Sequence, residues 1–380
     1  MARRHSIFLA TLLASGCAPG VAAQMPASAQ GSSPTQVTGF VRELTWLEVT
    51  LADGSKARLE ALVTRPDQPG RAPLVLMNHG SPRDASAREK MRPTGYASQA
   101  MAFARRGYAV VVVMRRGYGR TDGPYAESSG SCSDKDYVVS ARVSADDVLG
   151  ALHRLQEESW VDPDRVVLLG HSAGGFAVTA AAATNPRGVV AVISFAGGRG
   201  SDAPDHICRP DRLIAAEREL GTTGRVPSLW IYAQNDHFFE PVVADQMADA
   251  YASAGGVVRF VKAPAFGADG HMLFSQGPID LWWPDIAPFL AKLGLPVEVV
   301  RARVSPKLEP PSTLSPAGRV GFEAYVASEG YEKAFAAGKA AWASATGERT
   351  RLDAAETALR RCSEHGNDCV VYAVGDEYAR

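Results

Sequence analysis

Hydrophobic and polar positions alternate along residues 45–293 so that short apolar runs are separated by amphipathic or polar stretches. The runs are rich in branched side chains, which is typical of buried strands. The predicted strands cover residues 46–51, 56–64, 73–78, 108–114, 166–169, 189–195, 228–233 and 257–261. The first two are expected to pair around the Asp53-Gly54 turn.

Helices are predicted between these strands, at residues 95–106, 144–157, 176–184, 242–254 and 283–293. Ser144 is expected to cap the second helix, because Asp147 follows three residues later. Residues 197–226 are polar and are interpreted as a connection that forms a small lid. Repeated strand–helix alternation around one buried sheet predicts a doubly wound, mostly parallel α/β fold.

The periodic pattern divides the chain into a large domain and a small one. The large domain is predicted to cover residues 35–294, and a Pro-rich linker without periodicity follows at 295–317. Residues 318–380 are interpreted as a small, cysteine-containing α+β module with a helix at 351–361 and a strand at 369–374. We find no chemical motif in this module, so a binding or packing role is expected for it.

The N-terminus has the pattern of a secretory signal peptide. Arg3 and Arg4 precede an apolar stretch at residues 7–14, which is too short to remain as a membrane-spanning helix. Small residues follow, and we predict a signal peptide over residues 1–23. Cleavage after Ala29 is the alternative. Cys17 lies in a poor approximation to a lipoprotein box, so we favour a periplasmic or secreted protein over lipid attachment.

Removal of residues 1–23 leaves four cysteines, an even count that suggests disulfides in an exported protein. Joining neighbours within each predicted domain pairs Cys132 with Cys208 and Cys362 with Cys369. The alternative is that some of these cysteines are free, buried thiols. The formal charge of −1, with mixed signs, gives no reason to expect a nucleic-acid partner. No oligomeric state is predicted.

One octet carries the clearest chemistry. Residues 168–175 read Leu-Leu-Gly-His-Ser-Ala-Gly-Gly, where a strand runs into a Gly-x-Ser-x-Gly turn and then into a helix. This pattern predicts a nucleophile elbow that exposes the hydroxyl of Ser172. Gly170 and Gly174 are expected because no side chain fits where strand and helix approach. The alternative is an ordinary Gly-rich turn after a buried strand.

A serine nucleophile needs a base and a group that orients the base, in the chain order Ser, acid, His. Four histidines follow Ser172, and we predict that the base is His271, which stands in a Gly-rich loop after the last strand. The predicted acid is Asp236, at the end of a strand. Asp269 is the competing acid, but it is only two residues from the base and is expected to point away. His237 is interpreted as a wall residue.

Negative charge on the substrate oxygen needs two donors during attack. The predicted donors are the backbone amides of Ala173, directly after the nucleophile, and of Ser81, in the loop after residues 73–78. No metal or organic cofactor is required. Arg115, Arg116 and Arg120 would suit an acidic group of the substrate, and the alternative is that they are solvated or paired on the surface.

Five motifs together resemble those of a known family. They lie, in chain order, at residues 78–82, 116–123, 170–175, 234–236 and 269–271. The chain resembles the α/β-hydrolase fold and, within it, the dienelactone-hydrolase-like secreted serine hydrolases. The resemblance implies hydrolysis of a small-molecule carboxylic ester through an acyl-enzyme. The namesake enzymes have a cysteine nucleophile where this chain has Ser172. Residues 318–380 are similar to a short cysteine-containing module of exported bacterial proteins.

The resulting hypothesis is an exported serine esterase with Ser172, His271 and Asp236 as its triad. Two alternatives remain. One is a peptidase or amidase of the same fold, and the other is a non-catalytic envelope binding protein on a hydrolase scaffold.

Overall fold

The computed structural model describes residues 35–37 and 39–379, with side chains from residue 39 onward. The predicted signal peptide, residues 1–23, and the lipid-attachment alternative at Cys17 lie outside the described residues. Within the described part of the chain, no helix combines the length and the apolarity that crossing a bilayer requires.

Nine strands form the main sheet, in the spatial order β1-β2-β3-β5-β4-β6-β7-β10-β11. The strands from β5 to β11 in this order run parallel, whereas β1, β2 and β3 are antiparallel. Their bounds are β1 Thr35–Val37, β2 Phe40–Thr50, β3 Lys56–Pro66, β4 Ala72–Asn78, β5 Ala109–Val113, β6 Val161–His171, β7 Val189–Phe195, β10 Ser228–Ala233 and β11 Val258–Ala263. A separate hairpin consists of β8, Ser201–Ala203, and β9, His206–Ile207.

Helices cover both faces of this sheet. They are α1 Ala97–Ala104, α2 Tyr137–Gln156, α3 Ala173–Ala182, α4 Pro210–Thr223, α5 Pro241–Ser253, α6 Leu273–Gln276 and α7 Trp283–Lys292. Along β5, Val111 and Val113 pack towards α2 and α3, while Val110 and Val112 pack towards α1 and α7. Because both faces are covered, the parallel strands are apolar throughout, as the sequence pattern indicated. The predicted doubly wound α/β-hydrolase fold is confirmed.

One local prediction is wrong. The helix that contains Ser144 begins seven residues earlier, at Tyr137, because Asp136 caps it by accepting a hydrogen bond from the amide of Val139 (2.9 Å). Ser144 lies inside the helix, where its hydroxyl donates to the carbonyl of Ser140 (2.9 Å) and so does not interrupt it. Residues 197–226 contain the hairpin and α4, and their interpretation as a small lid remains a prediction.

The C-terminal residues form a second, antiparallel sheet. Its strand order is β13-β12-β14-β15, and α8 and α9 pack against it. The bounds are α8 Pro316–Ala327, β12 Lys333–Ala337, β13 Trp342–Thr346, α9 Arg351–Ser363, β14 Val370–Val374 and β15 Glu377–Tyr378. Between α7 and α8 the chain has no helix or strand. The described residues belong to one compact unit, and the predicted domain bounds remain a prediction.

Both predicted disulfides are present. Cys132 is bonded to Cys208, and Cys362 is bonded to Cys369. The first bond ties the segment before α2 to the start of α4, and the second closes a short loop between α9 and β14. Disulfides persist in oxidising compartments.

The order of the strands positions the functional loops. The chain passes from β4 outward to β5 and then returns to β6 on the other side of β4. In open α/β sheets, ligands bind outside the carboxyl ends of the strands at such a switch point. The loop at residues 79–82 follows β4, and the turn at Ser172 follows β6.

Candidate active site

The Gly-x-Ser-x-Gly segment forms a sharp turn between β6 and α3. Ser172 is the only residue between the strand and the helix, and its backbone has φ 56° and ψ −123°. Backbone strain of roughly 1–3 kcal/mol is typical of a side-chain-bearing residue held in this conformation. The amide of Ser172 donates to the carbonyl of Phe195 (2.8 Å), and its carbonyl accepts from the amide of Gly198 (3.2 Å). These bonds hold the strained turn in place.

Gly170 and Gly174 allow the close approach that this turn requires. A Cβ at Gly170 would overlap the carbonyl of Gly174, and a Cβ at Gly174 would overlap the carbonyl of Asn78. Since all of these neighbours are backbone atoms, no rotamer change would relieve the overlap. The structure therefore agrees with the reason given above for both glycines.

Asp236 and His271 are brought together at the carboxyl edge of the sheet. Asp236 follows β10, and His271 lies in a short 3₁₀ turn, Gly270–Met272, after β11. The Nδ1 atom of His271 lies 3.2 and 3.1 Å from the two carboxylate oxygens of Asp236. Both side chains are almost fully buried. The competing acid, Asp269, instead accepts hydrogen bonds from the backbone amides of His271 (2.9 Å) and His237 (3.1 Å).

The ring of His271 is held on two sides. Phe238 stacks on it, with ring centroids 3.9 Å apart, and His171, the neighbour of Ser172, lies 5.0 Å away by the same measure. The Nε2 atom of His171 donates to the carbonyl of His271 (2.8 Å). Within the described residues, no hydrogen bond joins the Ser172 hydroxyl to His271. Such catalytic bonds are often long in a ligand-free enzyme and shorten when substrate binds.

His171 is a buried neutral group and was not singled out by the sequence analysis. Its Nδ1 atom is 2.9 Å from the hydroxyl of Tyr96, which also accepts a hydrogen bond from the amide of Gly80 (3.3 Å). Burial lowers the pKa of His171 to about 3, with a further contribution from the nearby charge of His271. Position 171 stands inside the Gly-x-Ser-x-Gly motif, but only the tertiary structure reveals its contacts.

A cavity of about 190 Å³ opens beside the Ser172 side chain, and Ala173 and Ser81 also line it. Ala173 is the first residue of α3, so its amide has no acceptor within the helix. The hydroxyl of Ser81 accepts a hydrogen bond from Tyr118 (2.9 Å). The two predicted oxyanion donors therefore belong to the wall of the same cavity as the Ser172 side chain.

Beneath this cavity lies a buried ionic network that the sequence analysis missed. Glu127 accepts hydrogen bonds from Arg115 and from Arg199 (2.5 Å for Arg199), and all three side chains are almost fully buried. Burial alone would raise the pKa of Glu127, but the two guanidinium groups hold this pKa far below its usual value. Glu127 stands alone in a loop of small polar residues, and no pattern in the sequence singles it out.

His79 supports the loop from below. Its Nδ1 atom donates to the carbonyl of Gly80 (2.6 Å), and its Nε2 atom accepts from the amide of Arg115 (3.0 Å). Burial and the charge of Arg115 lower the pKa of His79 well below its usual value. The ring is therefore a neutral spacer between β4 and the loop after β5.

Two of the arginines suggested for binding an acidic substrate group are paired with carboxylates of the protein. Arg115 is bound to Glu127, and Arg116 donates to Asp147 (2.5 Å) and lies 3.5 Å from Asp146. Of the two alternatives, the structure shows the paired one for Arg115 and Arg116, although Arg115 is buried and does not lie on the surface.

In the described part of the chain, Cys132, Asp202 and Cys208 have the spacing of a metal site. The two cysteines form a disulfide with each other, so their sulfurs are not available as thiolate ligands.

One family model, described as X-Pro dipeptidyl-peptidase (S15 family), matches residues 53–259. This range is more than half of the chain and includes Ser172 and Asp236. A curated relative is NocK of Nocardia uniformis subsp. tsuyamanensis, a protein provisionally named an esterase. It is 28% identical over 247 residues, which are 62% of this chain and 64% of NocK. The chain thus spans just under two thirds of that relative's length.

Solved structures with a similar chain path include esterases and peptidases. A Klebsiella pneumoniae subsp. pneumoniae MGH 78578 protein, provisionally named a dienelactone hydrolase, has a TM-score of 0.46 and 15% identity, and the match covers 67% of this chain and 98% of that one. The acylaminoacyl peptidase of Pyrococcus horikoshii has a TM-score of 0.47 and 16% identity, with coverages of 69% and 43%. The esterase Est2 of Thermogutta terrifontis has a TM-score of 0.45 and 18% identity, with coverages of 68% and 95%.

Proposed function

Because the chain belongs to the X-Pro dipeptidyl-peptidase (S15) family, within the α/β-hydrolase superfamily, we propose that it is a serine hydrolase that cleaves carboxylic esters through an acyl-enzyme. Membership of this family makes the protein a hydrolase of the esterase and peptidase class. The proposal rests above all on the strained turn that holds Ser172 beside the cavity, at the edge of the sheet where His271 and Asp236 are hydrogen-bonded.

In the proposed reaction, the Ser172 hydroxyl attacks the ester carbonyl and its proton passes to Nε2 of His271. Asp236 keeps the other ring proton on Nδ1 and stabilises the imidazolium. The negative oxygen accepts hydrogen bonds from the amides of Ala173 and Ser81. His271 then protonates the leaving alcohol, and a water molecule, activated by the same base, releases the carboxylic acid and restores Ser172.

Peptide or amide hydrolysis is the second candidate, and the description of the matching family favours it. The charge of the cavity favours the ester. A dipeptidyl-peptidase substrate brings a free ammonium group into the site, whereas the cavity wall carries four cationic side chains and one carboxylate. Repulsion between like charges in the cavity disfavours such a substrate.

The test uses the purified chain and its Ser172→Ala variant. We expect a fluorophosphonate probe to label the wild type at Ser172, and 4-nitrophenyl butyrate to be hydrolysed faster than glycyl-prolyl-4-nitroanilide. Ser131→Ala, which removes an exposed hydroxyl, is the matched control and should retain both properties. Circular dichroism checks that Ser172→Ala is folded. Labelling that persists in Ser172→Ala would reject the nucleophile, and absence of labelling and turnover in the wild type would favour a non-catalytic binding protein.

We also propose that the protein is exported, since its two disulfides require an oxidising compartment. The N-terminal sequence of the protein recovered from its source decides between cleavage after Ala23 and after Ala29. An uncleaved N-terminus would overturn the predicted signal peptide.

A further inference from the structure

The cavity beside Ser172 has an unbalanced charge. Its wall contains four cations, Arg83, Arg88, Lys135 and Arg199, and one carboxylate, Asp202. Asp202 is itself bound to Nδ1 of His206 (2.5 Å). If the buried partners Arg115 and Glu127 are included, five cations face two carboxylates. With or without Arg115 and Glu127, the side chains around the cavity carry an excess of positive charge.

Arg88 is the least satisfied of these cations. Its guanidinium carbon lies over the ring of Tyr125, 3.6 Å from the centroid, and the group makes no hydrogen bond or ion pair with any described residue. Its Nε atom is buried. The backbone is fixed, because the carbonyl of Arg88 accepts from the amide of Gly119 (2.9 Å). A guanidinium that contacts an aromatic ring in this way still has N–H donors for an anion.

Arg199, which is almost fully buried, also has incomplete charge compensation. It is only 6% exposed, and it shares the single carboxylate of Glu127 with Arg115, so this buried group of three carries a net positive charge. Its Nε atom has no hydrogen-bond partner in the described structure. A buried charge of this kind is costly unless a counter-charge lies close by.

Arg83 completes the wall with partners that are all neutral. It donates to the hydroxyl of Ser201 (2.8 Å) and to the carbonyl of His237 (2.9 Å), and it lies over Phe238, the ring that stacks on His271. Three guanidinium groups with incomplete compensation therefore surround a small cavity that also contains the nucleophile.

We propose that this cavity binds a carboxylate of the substrate, so that the protein acts on small esters that carry a free carboxylate close to the scissile bond. Arg88 donates to that carboxylate through its unpaired guanidinium, and the incompletely compensated charges of Arg199 and Arg83 add to the positive field. The proposal rests on the proposed function and narrows it to one class of ester.

The experiment compares esters that differ in charge and little in shape. Benzyl hydrogen succinate has a carboxylate in its acyl part, and benzyl 4-methylpentanoate has an isopropyl group in the same place. A second pair has the charge in the alcohol part: the butyrate ester of 4-(hydroxymethyl)benzoate, and 4-isopropylbenzyl butyrate. We expect kcat/KM for the charged ester to exceed that for its neutral partner by about tenfold to a hundredfold in at least one pair, which is the range of a hydrogen bond to a charged group.

Arg88→Met removes the unpaired guanidinium and should reduce this ratio towards one. Lys90→Met is the matched control, because it removes an exposed cation two residues away that does not line the cavity, and it should leave the ratio unchanged. A preference for the neutral ester in both pairs overturns the proposal. So does an Arg88→Met ratio equal to that of the wild type.

A binding measurement separates this proposal from the proposed function. Ser172→Ala is titrated calorimetrically with benzyl hydrogen succinate and the carboxylate-bearing butyrate ester, and binding that weakens in Ser172→Ala/Arg88→Met supports the carboxylate site even if no ester is turned over. Ser172-dependent turnover of neutral esters, without charge preference or binding of either charged ester, leaves the proposed function standing and rejects the carboxylate site.

Discussion

Asp236 holds His271 through both of its carboxylate oxygens, at 3.2 and 3.1 Å from Nδ1, although 35 positions separate the two residues. The carboxylate is itself fixed, since its Oδ1 atom accepts hydrogen bonds from the backbone amides of Phe238 (2.7 Å) and Phe239 (2.8 Å). A carboxylate fixed in this way keeps a proton on Nδ1 and leaves Nε2 as the acceptor. The ring is thus oriented for proton transfer at one nitrogen only.

Replacing Asp236 by Asn should reduce kcat for 4-nitrophenyl butyrate on the order of 10⁴-fold, because an amide that donates to Nδ1 selects the wrong tautomer. Asp269→Asn is the matched control, since Asp269 contacts only the backbone amides of His271 and His237. Its effect on kcat should be much smaller. Equal losses in the two variants would mean that Asp236 has no special relation to the base.

The ion pair between Arg42 and Glu332 should contribute strongly to stability. Arg42 lies in the main sheet and donates to Glu332, beside the second sheet, at 2.6 and 3.2 Å, and both side chains are buried. Glu332→Ala leaves a buried guanidinium without its partner, so we expect the free energy of unfolding to fall by about 3–5 kcal/mol in urea titrations. Glu364→Ala, which breaks an exposed pair in the same module, should have almost no effect. A small change in Glu332→Ala would show that water replaces the carboxylate.

Glu217 should make stability fall with rising pH. It is buried in α4, and burial raises its pKa to about 8 from its usual value of 4.5. Between these two values the unfolded chain loses this proton and the folded chain keeps it, so unfolding becomes easier by up to about 1.4 kcal/mol per pH unit. Above about pH 8 the contribution is constant.

Urea titrations of Glu217→Gln between pH 5 and pH 9 measure this contribution. The variant should lack the downward slope of the wild type and should be the more stable protein at pH 8. Glu219→Gln, an exposed residue two positions later, should keep the wild-type slope. A wild-type slope in Glu217→Gln would show that another group carries the pH dependence.

The two disulfides should differ in their effect on stability. Their sequence separations are 76 and 7 residues, for which loop-closure entropy gives about 4.5 and about 2.4 kcal/mol. Cys132→Ser/Cys208→Ser should therefore lower the unfolding free energy more than Cys362→Ser/Cys369→Ser. Because Cys208 also lines the cavity, the first variant should lose ester turnover as well. The reverse order of stability would mean that strain or residual structure outweighs chain entropy.

Most of the fold could be predicted because its signals are local. The branched runs at Leu74 and Val111 are apolar on both faces, and this pattern persists along each parallel strand. The start of α2 could not be predicted from such local signals. Ser144 resembles a cap, but its hydroxyl bonds within its own helix, while the cap at Asp136 and the contact of Ser140 with the carbonyl of Glu127 fix the earlier turns.

By itself, the sequence determined the elbow at Ser172, the order of the strands along the chain and the types of residue that follow their carboxyl ends. These features depend on near neighbours, on the period of side-chain burial and on the absence of a Cβ at Gly170 and Gly174. The tertiary structure alone decided that Arg115 faces Glu127, while Arg88 has no counter-charge among the residues that the structure describes. Charge pairing depends on distance and on exclusion of water, and both arise only when loops far apart in the chain pack together.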